Sequence, residues 1–145
     1  MNVFKPLIGL TFDTFYRIRI KEAELDIIIS DSVIIEFENQ MNHFQIFTNQ
    51  MGVYVINLNA EHIILEDNSC SDEILMVKTF ATESFVIKKI SVYWDKDKTY
   101  IIGFVMHTSK YTYYFIRLVD EINIVTEETF YKAITNVKQY CVTEE

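Results

Sequence analysis

The chain has 145 residues, half of them hydrophobic, and sets thirteen lysines and arginines against twenty-one carboxylates for a net charge of −8 at pH 7. A single domain over residues 1–145 is expected, and a chain of this length buries roughly 70% of its unfolded surface, enough for a core without metals or disulfides. Wholesale disorder is excluded by the apolar content, and no segment approaches the roughly 20 apolar residues that a membrane-spanning helix requires.

The first residues, Met1-Asn2-Val3-Phe4-Lys5-Pro6, lack the charged start, apolar stretch and small-residue cleavage site of a signal peptide. A cytoplasmic protein with reduced thiols at Cys70 and Cys141 is therefore expected. A short helix is predicted near residues 5–15. From Phe15 onward the dominant period is two. Tyr16, Ile18 and Ile20 alternate with Arg17, Arg19 and Lys21, and Val33, Ile35 and Phe37 alternate with Ile34, Glu36 and Glu38. Further strands are predicted at 24–29, 43–48, 52–58, 61–66, 73–80, 85–94, 99–108 and 111–119, all rich in residues that suit a pleated surface. Tight links at Asp95–Lys98 and Ser109–Lys110 make 85–119 a three-stranded meander. Residues 67–72 read as a polar loop.

One helix is predicted, over 127–140. Thr126 is its N-cap, and Glu127 and Glu128 sit where the helix dipole favours negative charge. Phe130, Ile134, Val137 and Cys141 form its apolar stripe, while Lys132 and Lys138 face water. Ile27-Ile28-Ile29, Ile63-Ile64-Leu65 and Tyr113-Tyr114-Phe115-Ile116 look apolar on both faces. Such strands need cover on each side, from a second sheet and the helix or from another subunit. The expected fold is mainly β (α+β): an antiparallel β-sandwich or strongly curved sheet with one C-terminal helix packed on it. A homodimer is a further expectation.

Charge is distributed unevenly along this framework. Residues 22–77 contain no lysine or arginine but eleven carboxylates, so they carry −11 while the remainder carries +3. A directional field of this kind selects partners by sign. Two clusters stand out: Glu22, Glu24 and Asp26, with Asp31 close behind, and Glu61, Glu66, Asp67, Asp72 and Glu73 around the polar loop. Between them, residues 39–60 hold no charge and carry their polarity mainly on amides, which suit turns or a wet interface.

Signals for catalysis are thin. His43, His62 and His107 show no metal-ligand spacing, and two cysteines do not make a zinc site. Gly9, Gly52 and Gly103 are isolated, so no phosphate loop exists, and Ser84, Ser91 and Ser109 lie in no nucleophile elbow. No enzyme activity, cofactor or metal is expected. Aromatic residues make up 14% of the chain, but Arg17, Arg19, Lys21, Lys88 and Lys89 offer only a small positive patch against an adverse field. Nucleic acid is thus not expected as a partner, nor is a membrane.

In size, charge and strand content the chain resembles the small immunity proteins that bacteria make against toxins delivered by their neighbours, of the contact-dependent growth inhibition type. The basic-free segment 22–77 and the uncharged stretch containing Phe44, Phe47 and Tyr54 carry that resemblance. It implies a non-enzymatic inhibitor that neutralises a basic, nuclease-type toxin domain. The expected contact residues are Glu22, Glu24, Asp26, Glu61, Glu66, Asp67, Asp72 and Glu73. The alternatives are a homo-oligomeric structural or assembly subunit, and a β-barrel carrier of an apolar small molecule.

Overall fold

A computed structural model of the chain describes residues 3–22, 27–39, 41, 43–49, 52–57, 73–81, 83–118, 121–137 and 139–145. The strand expected at 61–66, the loop at 67–72 and the carboxylates Glu24, Asp26, Glu61, Glu66, Asp67 and Asp72 lie outside the described residues.

The chain is mainly β. A single 3-10 turn at Lys5–Leu7 precedes β1 (Thr11–Phe12), β2 (Thr14–Glu22), β3 (Ile27–Glu38), β4 (His43–Asn49), β5 (Gly52–Asn57), β6 (Glu73–Ala81), β7 (Phe85–Asp95), β8 (Ile101–Thr108), β9 (Thr112–Leu118) and β10 (Glu121–Val125). The helix α1 (Glu127–Thr135) and a last strand, β11 (Tyr140–Glu144), complete it. Among the described residues all pairings are antiparallel: β5-β4-β3-β2-β6 form one sheet, and β1-β7-β8-β9-β10, with β11 also on β7, form the other. Together they make a strongly curled half-barrel with the C-terminal helix packed on it. The expected meander over 85–119 is present as β7-β8-β9.

The curl starts where the chain changes sheets. Phe12 pairs with Phe85 in one sheet, and Phe15 pairs with Phe37 in the other, with only Asp13 and Thr14 between. A strand that switches sheets builds a corner. The β2–β3 ladder also slips between Ile18, which faces Ile34, and Ile20, which faces Ile29. Extra residues on one strand bend it and increase its twist.

Inside the curl, both sheets contribute phenylalanine rings. Phe15 stacks on Phe37 with centroids 5.1 Å apart, and Phe12 lies 5.6 Å from Phe37 and 6.1 Å from Phe85. A second column runs from Phe4 through Phe104 to Phe115, each step 4.5 Å. The apolar run Tyr113-Tyr114-Phe115-Ile116 is explained by cover on two sides. Phe115 faces this inner core, whereas Ile116 joins Val105, Phe130 and Ile134 beneath the helix.

The helix begins as expected, with Thr126 Oγ1 accepting the Thr129 N–H at 3.2 Å and Phe130 and Ile134 buried. Its end differs. The helix stops at Thr135 rather than 140, and Cys141 lies on β11, not on the helix stripe. Tyr140 to Glu144 pair with Asp95 to Ser91, along an edge that β1 covers only at Val86 and Phe85. Satisfying those unpaired backbone groups outweighs a further turn of helix. The segment near residues 5–15 forms one 3-10 turn and a short strand instead of a helix.

Gly103 sets how closely α1 approaches. A Cβ there would lie 2.6 Å from the Phe115 carbonyl oxygen and 3.0 Å from the Phe130 ring. Backbone cannot yield cheaply, so Gly103→Ala is expected to cost about 1–3 kcal/mol, the usual range for overpacking. Urea unfolding measures the loss. An unchanged midpoint would mean the helix does not press on β8.

Candidate functional site

Sheet register brings one residue of each acidic cluster to the same end of the five-stranded sheet. Glu22, the last residue of β2, is in register with Glu73, the first residue of β6, and with Ile27, the first residue of β3. The start of one cluster and the end of the other therefore share one end of the five-stranded sheet. Directly opposed positions on antiparallel strands hold their Cβ atoms about 5 Å apart, and like charges there are destabilising. Of the eight expected contact residues, these two are the ones the structure places, and it places them side by side. The neutral amide stretch between them includes a turn: Asn39 Nδ2 donates to the Thr11 carbonyl at 2.6 Å, and its Oδ1 accepts the Met41 N–H at 2.8 Å.

A second feature lies at the rim of the curl. The link between β7 and β8 is fixed by Asp95, whose carboxylate accepts the Thr99 N–H at 2.6 Å, the Tyr100 N–H at 2.9 Å and the Thr99 hydroxyl. Burial opposes the charge on Asp95, but these donors outweigh it and hold its carboxyl below the usual range. Lys98 takes the left-handed conformation that closes the turn, with φ of 55°. Trp94 Nε1 donates to Thr143 Oγ1 at 2.9 Å, which locks the indole against β11. Tyr54 approaches from the opposite sheet. A cavity of about 430 Å³ results, lined among others by Tyr54, Trp94, Lys98, Tyr100, Thr143 and Glu145. Burial raises the Glu145 carboxyl above its ordinary value, although the Phe4 N–H and the positive amino terminus pull the other way.

A third feature is a tyrosine cluster outside the curl, beside α1. Tyr93 lies 5.1 Å from Phe130, 5.8 Å from Tyr140 and 6.5 Å from Tyr131, and Tyr114 lies 6.0 Å from Tyr131. Tyr131 and Tyr140 stay 40% and 43% exposed. Reading the aromatics as core overlooks this group, because only the pairing of β11 with β7 brings Tyr140 to Tyr93. Burial and the neighbouring phenols push the Tyr93 hydroxyl up to about 12. The folded state thus holds its proton more tightly than the unfolded chain, where a tyrosine titrates near 10. This stabilisation is complete below about pH 10 and disappears as pH rises to about 12. Alkaline unfolding curves of Tyr93→Phe should lose that part of the pH dependence, and overlapping curves would contradict it.

Several other polar groups among the described residues have defined partners. His107 Nε2 meets Ser91 Oγ at 3.3 Å, and burial, then the Lys89 charge, keep its imidazole below the ordinary value. Lys89 pairs with Glu144 at 3.2 Å. Cys141 Sγ donates to the Asp95 carbonyl at 3.3 Å, where a helix would not have placed it. His43 pairs by backbone with Glu38, while His62 and Cys70 lie outside the described residues. Among the described residues no three histidine, cysteine or carboxylate side chains gather as metal ligands, and no described helix is long and apolar enough to cross a membrane.

No protein-family model, curated protein or solved structure matches this chain.

Proposed function

We propose that the protein works by binding a basic protein partner, as an immunity-type inhibitor of a nuclease-like toxin domain. The observation that carries this reading is the register of Glu22 against Glu73. Two carboxylate positions opposed in register, in a segment with no lysine or arginine, concentrate like charge that a cationic partner would relieve. Stability given up in this way is characteristic of binding surfaces. On this reading the carboxylates steer association, pairing with lysines or arginines that otherwise contact phosphate. Nearby aromatic anchors supply most of the affinity.

The test uses the gene's own neighbourhood. If an adjacent reading frame encodes a large protein with a toxic C-terminal domain, expressing that domain alone should arrest growth, and co-expressing this chain should restore it. The two proteins should co-purify at low salt and separate as salt is raised. A toxic domain that still arrests growth in the presence of the folded chain would defeat the proposal.

A further inference from the structure

The rim cavity is built before anything enters it. The Trp94 indole is fixed by Thr143, and the turn that presents Tyr100 is tied down by three donors to Asp95. Glu145 lines the same space. Its Oε1 accepts the Phe4 N–H at 3.2 Å, while its Oε2 is closed off from water and accepts no hydrogen bond. One oxygen of this carboxyl thus lacks a donor, and the rings of Tyr54, Trp94 and Tyr100 line the same cavity.

We propose that this cavity takes an ammonium or guanidinium group, seated against the rings of Tyr54, Trp94 and Tyr100 with the Glu145 carboxylate as its counter-charge. Aromatic faces attract cations through their ring quadrupole, most strongly when water is excluded. A purely apolar guest would leave Glu145 as it is, and an anion would meet both Glu144 and Glu145. Burial raises the proton affinity of Glu145, although the positive amino terminus already offsets part of its charge. Lys98 acts against the proposal from the rim. It is exposed on its turn, and its flexible stem lets the ammonium stay in water. At about 430 Å³ the space is of small-molecule size and larger than one ammonium group, so the aliphatic chain that carries the charge enters as well. That chain belongs either to a free polyamine or to a lysine or arginine of a protein partner.

Trp94 is the only tryptophan in the sequence, so its fluorescence reports on this cavity alone. The intact protein is titrated with spermidine, with N-acetyl-lysine N-methylamide, and with N-acetyl-norleucine N-methylamide as the uncharged match. Saturable changes are expected for the cations and none for norleucine. Glu145→Gln should weaken cation binding about tenfold, whereas Lys98→Gln should tighten it about two- to threefold. Tyr54→Ala, on an edge strand, should weaken it about fivefold and leaves the Phe4 contact to Glu145 in place. Spermidine binding far tighter than the lysine derivative assigns a free polyamine, and the reverse order assigns a partner side chain. Equal responses to norleucine and lysine, no saturation by any cation, or insensitivity to both Glu145→Gln and Tyr54→Ala each overturn the proposal. The Glu22→Gln, Glu73→Gln double variant should keep the full response, so this site stands or falls separately from the acidic end.

Discussion

Phe104→Ala is expected to remove about 3–5 kcal/mol of stability, the range for truncating a buried aromatic ring. Phe104 is fully buried at the middle of β8, between the Phe4 and Phe115 rings at 4.5 Å on either side. Neither neighbour can close the gap. Phe115 is held by strand pairing on both sides, to β8 and β10, and Phe4 by the short turn that follows it. The cavity therefore persists, and its cost adds to the lost transfer energy. Domains of this size have only about 5–15 kcal/mol in total, so the variant should be partly unfolded at moderate urea. Tyr111→Ala provides the contrast: Tyr111 is 67% exposed, and its loss should stay within about 0.5 kcal/mol. Equilibrium urea titrations of both variants, read by far-ultraviolet circular dichroism, make the comparison. A Phe104→Ala loss below about 1 kcal/mol would show that the ring column carries little of the fold.

How far the sequence could be read follows the range of the interactions involved. Strand content was legible because alternation is local: β4, β5, β7, β8 and β9 all fall within a residue or two of the expected spans. The N-cap at Thr126 was legible for the same reason, since one hydroxyl and the next three residues decide it. The end of the helix was not. Cys141 continues a helical stripe by spacing, yet its backbone is claimed by Trp94, a partner far back in the chain. The β10 strand was missed because its short run shows its role only beside β9. The acidic segment was visible as composition, but the meeting of its two ends depends on the β2–β6 register, which no local pattern encodes. The rim cavity was invisible for a stronger reason. Tyr54, Trp94, Tyr100 and Glu145 come from separate stretches, and each alone reads as an ordinary strand or turn residue.

Replacing Glu22 and Glu73 together by glutamine should slow association with a basic partner about tenfold at low salt, and the difference should fade as salt screens the field. The same variant should be more stable, by up to about 1 kcal/mol, because a like-charged pair at opposed positions is removed. Opposite signs for binding and stability separate a surface kept for recognition from one that merely keeps the chain dispersed. Glu127→Gln is the internal control. Glu127 lies in the first turn of α1, where negative charge complements the helix dipole, so its neutralisation should cost about 0.3–1 kcal/mol. It should leave the association rate unchanged, since it sits outside the basic-free segment. Stopped-flow association at two salt concentrations, with urea titrations of the same samples, measures both effects. If the double variant associates as fast as the parent at low salt, the acidic end is not where the partner approaches.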